Sequence, residues 1–122
     1  MDGFIITSTL MFNPGKNSSN FNNLKEDLID TIADSLENVN RTMITLKVMK
    51  VKTRFRKMNA FVVVVVTIKI PDGDVAEKTR DHMNTTSFVA NVNHEIRESE
   101  ALKDTGVELD SVPEVKYEVY GK

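Results

Sequence analysis

Apolar and polar positions alternate along this chain with two different periods. Phe4 to Phe12 reads as a first strand, with Ile5-Ile6 and Leu10-Met11-Phe12 as apolar blocks and an irregularity expected between them. Asn13-Pro14-Gly15 ends it, and the polar run to Asn20 is a loop. The period then changes. Leu24, Leu28, Ile32 and Leu36 recur at every fourth position, joined by Ile29, Ala33 and Val39, which places an apolar stripe on one helix face. Asn22 or Asn23, ahead of Glu26, is the expected cap.

Met43 to Arg56 returns to alternation with one defect. Ile44, Leu46 and Val48 share a face, but the next set is Val51, Thr53 and Phe55, so the phase slips near Met49-Lys50 as at a β-bulge. Lys57, Met58 and Asn59 turn the chain into a strand of ten residues that ends at Ile70, where Val62 to Val66 leave no polar face. Such a strand needs cover on both faces or the shelter of a sheet centre. Pro71 to Asp74 closes it, and Asp74 with Glu77 predicts a helix from Val75 to about Met83. Thr86 or Ser87 is the expected cap of a second piece carrying Phe88, Val89, Val92 and Ile96. Gly106 breaks the chain, Val107 and Leu109 form a short apolar segment, and Pro113 admits a last strand with Val115, Tyr117 and Val119 on one face. A proline at its start suits an edge.

The order is strand, helix, two strands, split helix, strand. That pattern predicts an α+β fold: a ferredoxin-like split β-α-β sandwich, a four-stranded antiparallel sheet with helices on one face. The third strand should be central, and the second and last should be edges. The whole chain, 1–122 with a core over about 4–120, reads as one domain, long enough to bury a core without staples. There is no cysteine, so no disulfide or thiolate metal site is involved in folding.

Charge narrows the function. A net charge of -2 argues against nucleic acid as a partner, and the valine run lacks the aromatic and glycine interleaving of an RNA-binding sheet. No run approaches the ~18 apolar residues of a membrane span, so direct insertion is not expected. Met1-Asp2-Gly3-Phe4 lacks the basic region of a signal peptide, which leaves location unread at the terminus. Arg41, Lys47, Lys50, Lys52, Arg54, Arg56 and Lys57 form a basic ladder. Charge at this density protects an edge strand; it also suits a protein or acidic glycan partner.

No catalytic, metal or cofactor constellation is expected. His82 and His94 lie twelve residues apart, and His94 with Glu98 reads as a surface pair. Glu26, Asp27, Asp30, Asp34 and Glu37 are the solvated side of the first helix, and Gly15, Gly73 and Gly106 are separate turn glycines. Three Asn-x-Ser/Thr sequons begin at Asn17, Asn40 and Asn84, all outside the predicted sheet, and are candidate glycosylation sites of a secreted or surface protein.

In three places the chain resembles the SEA domain, an extracellular module of membrane mucins and other surface glycoproteins. The helix ending in Ile32-Ala33-Asp34-Ser35-Leu36 resembles the family's first helix. Phe55-Arg56 before the valine run resembles its Phe-Arg-x-Gly-Ser-Val-Val-Val cleavage hairpin. Val107 to Val112 is similar to its closing segment. The resemblance covers most of residues 21–119 and implies a folded spacer or adhesion element at the cell surface, within a membrane-associated parent protein. In cleaving members a serine attacks the preceding glycine carbonyl. Here Lys57-Met58-Asn59-Ala60 offers no hydroxyl, so an uncleaved variant is expected. The alternative is a cytoplasmic α+β binding or assembly domain.

Overall fold

The computed structural model describes residues 3–15, 21–53 and 60–120. Five strands form one antiparallel sheet: β1 (Gly3–Asn13), β2 (Ile44–Thr53), β3 (Ala60–Ile70), β4 (Glu108–Leu109) and β5 (Glu114–Tyr120). β2 pairs β3, β3 pairs β1, and β4 and β5 both pair the far side of β1. The valine strand is therefore internal, and β2 and β5 lie at the two edges, as the sequence predicts. Three helices, α1 (Lys25–Asp34), α2 (Gly73–Met83) and α3 (Thr86–Glu98), complete an α+β domain.

The core lies between these helices and one sheet face. Ile6, Leu10, Phe12, Leu46, Val62, Val64, Val66, Ile68 and Ile70 are buried with Leu28, Ile32, Ala76, Met83, Phe88, Val92 and Ile96 from the helices. In β3 the valines divide by parity. Val62, Val64 and Val66 are fully buried, whereas Val63 and Val65 are half-buried on the helix-free face. Met11 and Thr9 on β1, and Lys50 and Lys47 on β2, are their register neighbours. Of the two ways to shelter an all-valine strand, this sheet uses its own centre.

The phase slip in β2 is a bulge: the register with β3 shifts between Val48 and Lys50. Val48 stands opposite Val64 and Val51 opposite Val62, so the extra residue returns the second apolar set to the core register. The irregularity expected in β1 is absent. Its pairing with β3 runs unbroken from Phe4↔Ile70 to Phe12↔Val62. Ser8 takes a core-face position there because its Oγ donates to the Glu114 carbonyl at 2.9 Å, which satisfies a buried hydroxyl.

All three helix starts differ from expectation. α1 follows a 3₁₀ turn, Phe21–Leu24, with no side-chain cap from Asn22 or Asn23. Buried Phe21 packs against Phe12, ring centroids 5.9 Å apart, and this anchor rather than an Asn cap sets the entry. α1 also stops at Asp34; Leu36 and Val39 are buried beyond it, on either side of Asn38 at φ 60°. Asp72, not Asp74, caps α2, accepting from the amides of Asp74 and Val75 at 2.8 and 3.1 Å. Thr85, not Thr86 or Ser87, caps α3 by accepting from the Phe88 amide, and it donates to the His82 carbonyl at 2.6 Å. Asp72→Ala is expected to lower stability by about 1 kcal/mol with the fold retained, read as a shift in urea midpoint.

Candidate interaction surface

Among the described residues, only one face of the sheet carries helices. On the other, β3 presents Phe61, Val63, Val65, Thr67 and exposed Lys69, and β1 presents Ile5, Thr7, Thr9 and Met11. β2 borders this face with Thr45 and Lys47, both exposed. Lys50 and Lys52 hold the next register positions, opposite Val63 and Phe61. A half-buried apolar strip thus runs beside a lysine-rich edge.

The basic ladder divides in the structure. Lys47, Lys50 and Lys52 belong to β2, whereas Arg41 lies before it in a 3₁₀ turn, Arg41–Met43, and turns to α1. Its Nη2 donates to Glu26 Oε1 at 2.8 Å and its Nε to Asp30 Oδ1. These side-chain hydrogen bonds, Glu26 first and then Asp30, raise the Arg41 pKa above its ordinary value. Arg41 so neutralises part of the acidic helix face, and sequence order alone does not separate it from the lysines. Arg54, Arg56 and Lys57 lie outside the described residues. Lys69 joins the same face, and alternation past Val65 and Thr67 is the signal that locates it.

The helical side has the opposite charge. Asp27, Asp30 and Asp34 of α1 and Glu95 and Glu98 of α3 line a groove of about 180 Å³. A larger cleft of about 360 Å³ is bounded by Asp34, Glu37, Lys78, Thr79, His82 and Asn91 among others. His82 is half-buried there, edge-on to Phe88, with its Nε2 3.2 Å from Asn91 Nδ2. His94 and Glu98 are both exposed but form no ion pair among the described residues. Among the described residues no three His, Cys, Asp or Glu side chains are grouped to hold a metal ion, and no helix is long and apolar enough to cross a membrane.

Asn40 and Asn84 are exposed, and so are the hydroxyl residues that complete their sequons, Thr42 and Thr86. Asn40 precedes the Arg41–Met43 turn in extended conformation, and Asn84 follows α2. Asn17 lies outside the described residues.

No protein-family model matches the chain, and no curated protein matches it. Among solved structures it is similar to part of the full extracellular region of zebrafish Gpr126/Adgrg6, with TM-score 0.44 and 10% identity over 95% of this chain. The chain spans 13% of that region's length. A de novo designed protein, Foldit4, gives TM-score 0.34 at 14% identity, covering 98% of each chain. A tripeptidase from Staphylococcus aureus gives 0.34 at 13% identity, over 97% of this chain and 29% of its own.

Proposed function

We propose that this domain is a non-catalytic structural or adhesion module of an extracellular or cell-surface protein, a ferredoxin-like split β-α-β sandwich of the SEA kind that stays uncleaved. The strand order supports the fold reading: β2, β3, β1 and then β5 form the four main columns, with β4 a short extension of the last. The resembling segments also fit it. Ile32 to Leu36 spans the end of α1 and the two residues after it, the valine run is internal, and Val107 to Val112 contains β4.

The observation that carries the surface reading is the setting of Asn40 and Asn84. Each stands exposed at the end of a helical element, with its Thr acceptor exposed two residues on. A glycan needs room on both sides of its asparagine, and buried or strand-paired sequons would deny it. The helix-free face with Lys47 and Lys69 supports a protein or acidic glycan as partner, by charge complementarity. A cytoplasmic binding domain would use the same face without the glycans.

Expression through a eukaryotic secretory route separates the two. Peptide N-glycosidase treatment should reduce the mass, with Asn converted to Asp at positions 40 and 84. The same sample should run as one intact band, since the segment Lys57 to Ala60 has no hydroxyl to attack the backbone. Unmodified Asn40 and Asn84 would overturn the surface reading. Fragments split between Met58 and Phe61 would overturn the uncleaved one.

A further inference from the structure

The two edges of the sheet differ in chemistry. β2 carries Lys47, Lys50 and Lys52 at its register positions, a run of like charge that discourages a second strand. β5 mixes its signs. Glu114, Lys116 and Glu118 share the helix-free face, while Val115, Tyr117 and Val119 share the other. Among the described residues β5 pairs with β1 alone, so its outer row of amides and carbonyls meets no strand. Lys116 and Glu118 are exposed and form no ion pair among those residues. Val119 is 67% exposed, although Val115 and Tyr117 on its own face are half-buried.

We propose that β5 is a homodimerisation edge, which pairs with β5 of a second copy in antiparallel register about a two-fold axis at Tyr117. Identical antiparallel strands related by a two-fold axis must place one residue opposite itself, so the choice of that residue fixes the register. With Tyr117 at the axis the whole strand, Glu114–Tyr120, is paired. Lys116 then faces Glu118 of the second copy, and Glu118 faces its Lys116. On the other face, exposed Val119 meets Val115 of the second copy, and the reverse contact repeats it.

The competing registers are poorer. An axis at Lys116 opposes Lys116 to itself and Glu114 to Glu118, all like charges. An axis at Glu118 opposes that carboxylate to its copy. Axes at Val115 or Val119 leave more than half of the strand unpaired. Charge and length thus select a single register. Tyr117 suits the axis: Arg80 lies 4.7 Å over its ring and is itself bound to Asp81 at 3.0 Å, with Glu77 beside it at 4.0 Å, so that cation is already partly balanced. The contact is isologous and closes at two copies, while the lysines of β2 discourage growth from the opposite edge.

One strand pair is small beside a standard interface, so association should be weak, with a dissociation constant on the order of 100 µM. Sedimentation velocity from about 10 µM to 1 mM should show a reversible monomer–dimer equilibrium. Lys116→Glu and Glu118→Lys each place like charges opposite one another and should weaken association about tenfold or more. An equimolar mixture of these two variants restores both opposite-charge pairs in the heterodimer and should associate about tenfold more tightly than either alone. The double variant Lys116→Glu/Glu118→Lys should recover wild-type behaviour, and circular dichroism should confirm that all chains are folded. A wild-type chain that stays monomeric throughout, single variants that associate like wild type, or a mixture no tighter than its components would each overturn the proposal. The outcome is independent of glycosylation and of the location in the cell.

Discussion

Val64→Asp should abolish the cooperative urea transition, leaving an unfolded or aggregated chain, while Lys47→Asp should cost about 0.5 kcal/mol or less and barely move the midpoint. Val64 has no exposed surface and is paired on both sides, to Leu10 of β1 and Val48 of β2. A carboxylate there would face the apolar underside of the helices with no cation to meet it. The cost is several kcal/mol, against a total stability of about 5–15 for a domain of this size. Lys47 is exposed on the edge strand and forms no ion pair among the described residues. Val65→Asp refines the comparison. It lies one residue further along the same strand, half-buried on the helix-free face opposite Lys47, so water and a lysine are within reach. It should retain a cooperative transition. Equal damage from Val64→Asp and Val65→Asp would mean that both faces of β3 are sealed, and equal tolerance would remove β3 from the core.

That comparison also marks where sequence reading stops. Val62 to Val66 identify a central strand by composition, but five identical side chains carry no parity of their own; it comes from the alternation of Thr67 and Lys69 with Ile68 and Ile70, and from the register with Leu10 and Met11. The bulge in β2 was legible because mixed residues do carry parity: the lysines pass from odd to even positions where the apolar set slips, and so stay in register with one face of β3. The caps were legible only to within one or two residues. Asp72 and Asp74, or Thr85, Thr86 and Ser87, are each chemically able to cap, and the choice falls to whichever backbone is extended where the helix begins. Arg41 resembles the lysines that follow it until Glu26 and Asp30 of α1 are placed beside it. The pairing logic of Lys116 and Glu118 is present in the sequence, but it acquires meaning only when β5 is known to have an open edge.

Gly15→Ala should cost about 3 kcal/mol, and Gly106→Ala only about 1, although both glycines have positive φ. The left-handed conformation alone, φ 59° at Gly15 and 78° at Gly106, penalises any Cβ by about 1 kcal/mol or slightly more. The difference lies in what the added methyl would meet. At Gly15 it would fall 2.1 Å from the Thr105 carbonyl oxygen and 2.7 and 2.9 Å from the Gly106 backbone, atoms that no side-chain rotation can move. At Gly106 the nearest atom is the Gly15 Cα at 3.4 Å, an ordinary contact. Relief at Gly15 therefore requires the turn after β1 and the loop before β4 to separate. That loop carries β4 onto the end of β1, through Phe12↔Leu109 and Asn13↔Glu108, and Asn93 of α3 clasps Leu109 by both its amide and its carbonyl, at 2.7 and 3.1 Å. Gly15→Ala should thus lower the urea midpoint and also speed hydrogen exchange at the amides of Leu109 and Asp110, the latter bonded to the Met11 carbonyl at 2.8 Å. Exchange in β2 should rise only as far as global stability falls. If the two alanine variants prove equally stable, the close approach of Gly15 to Thr105 does not hold this corner of the domain together.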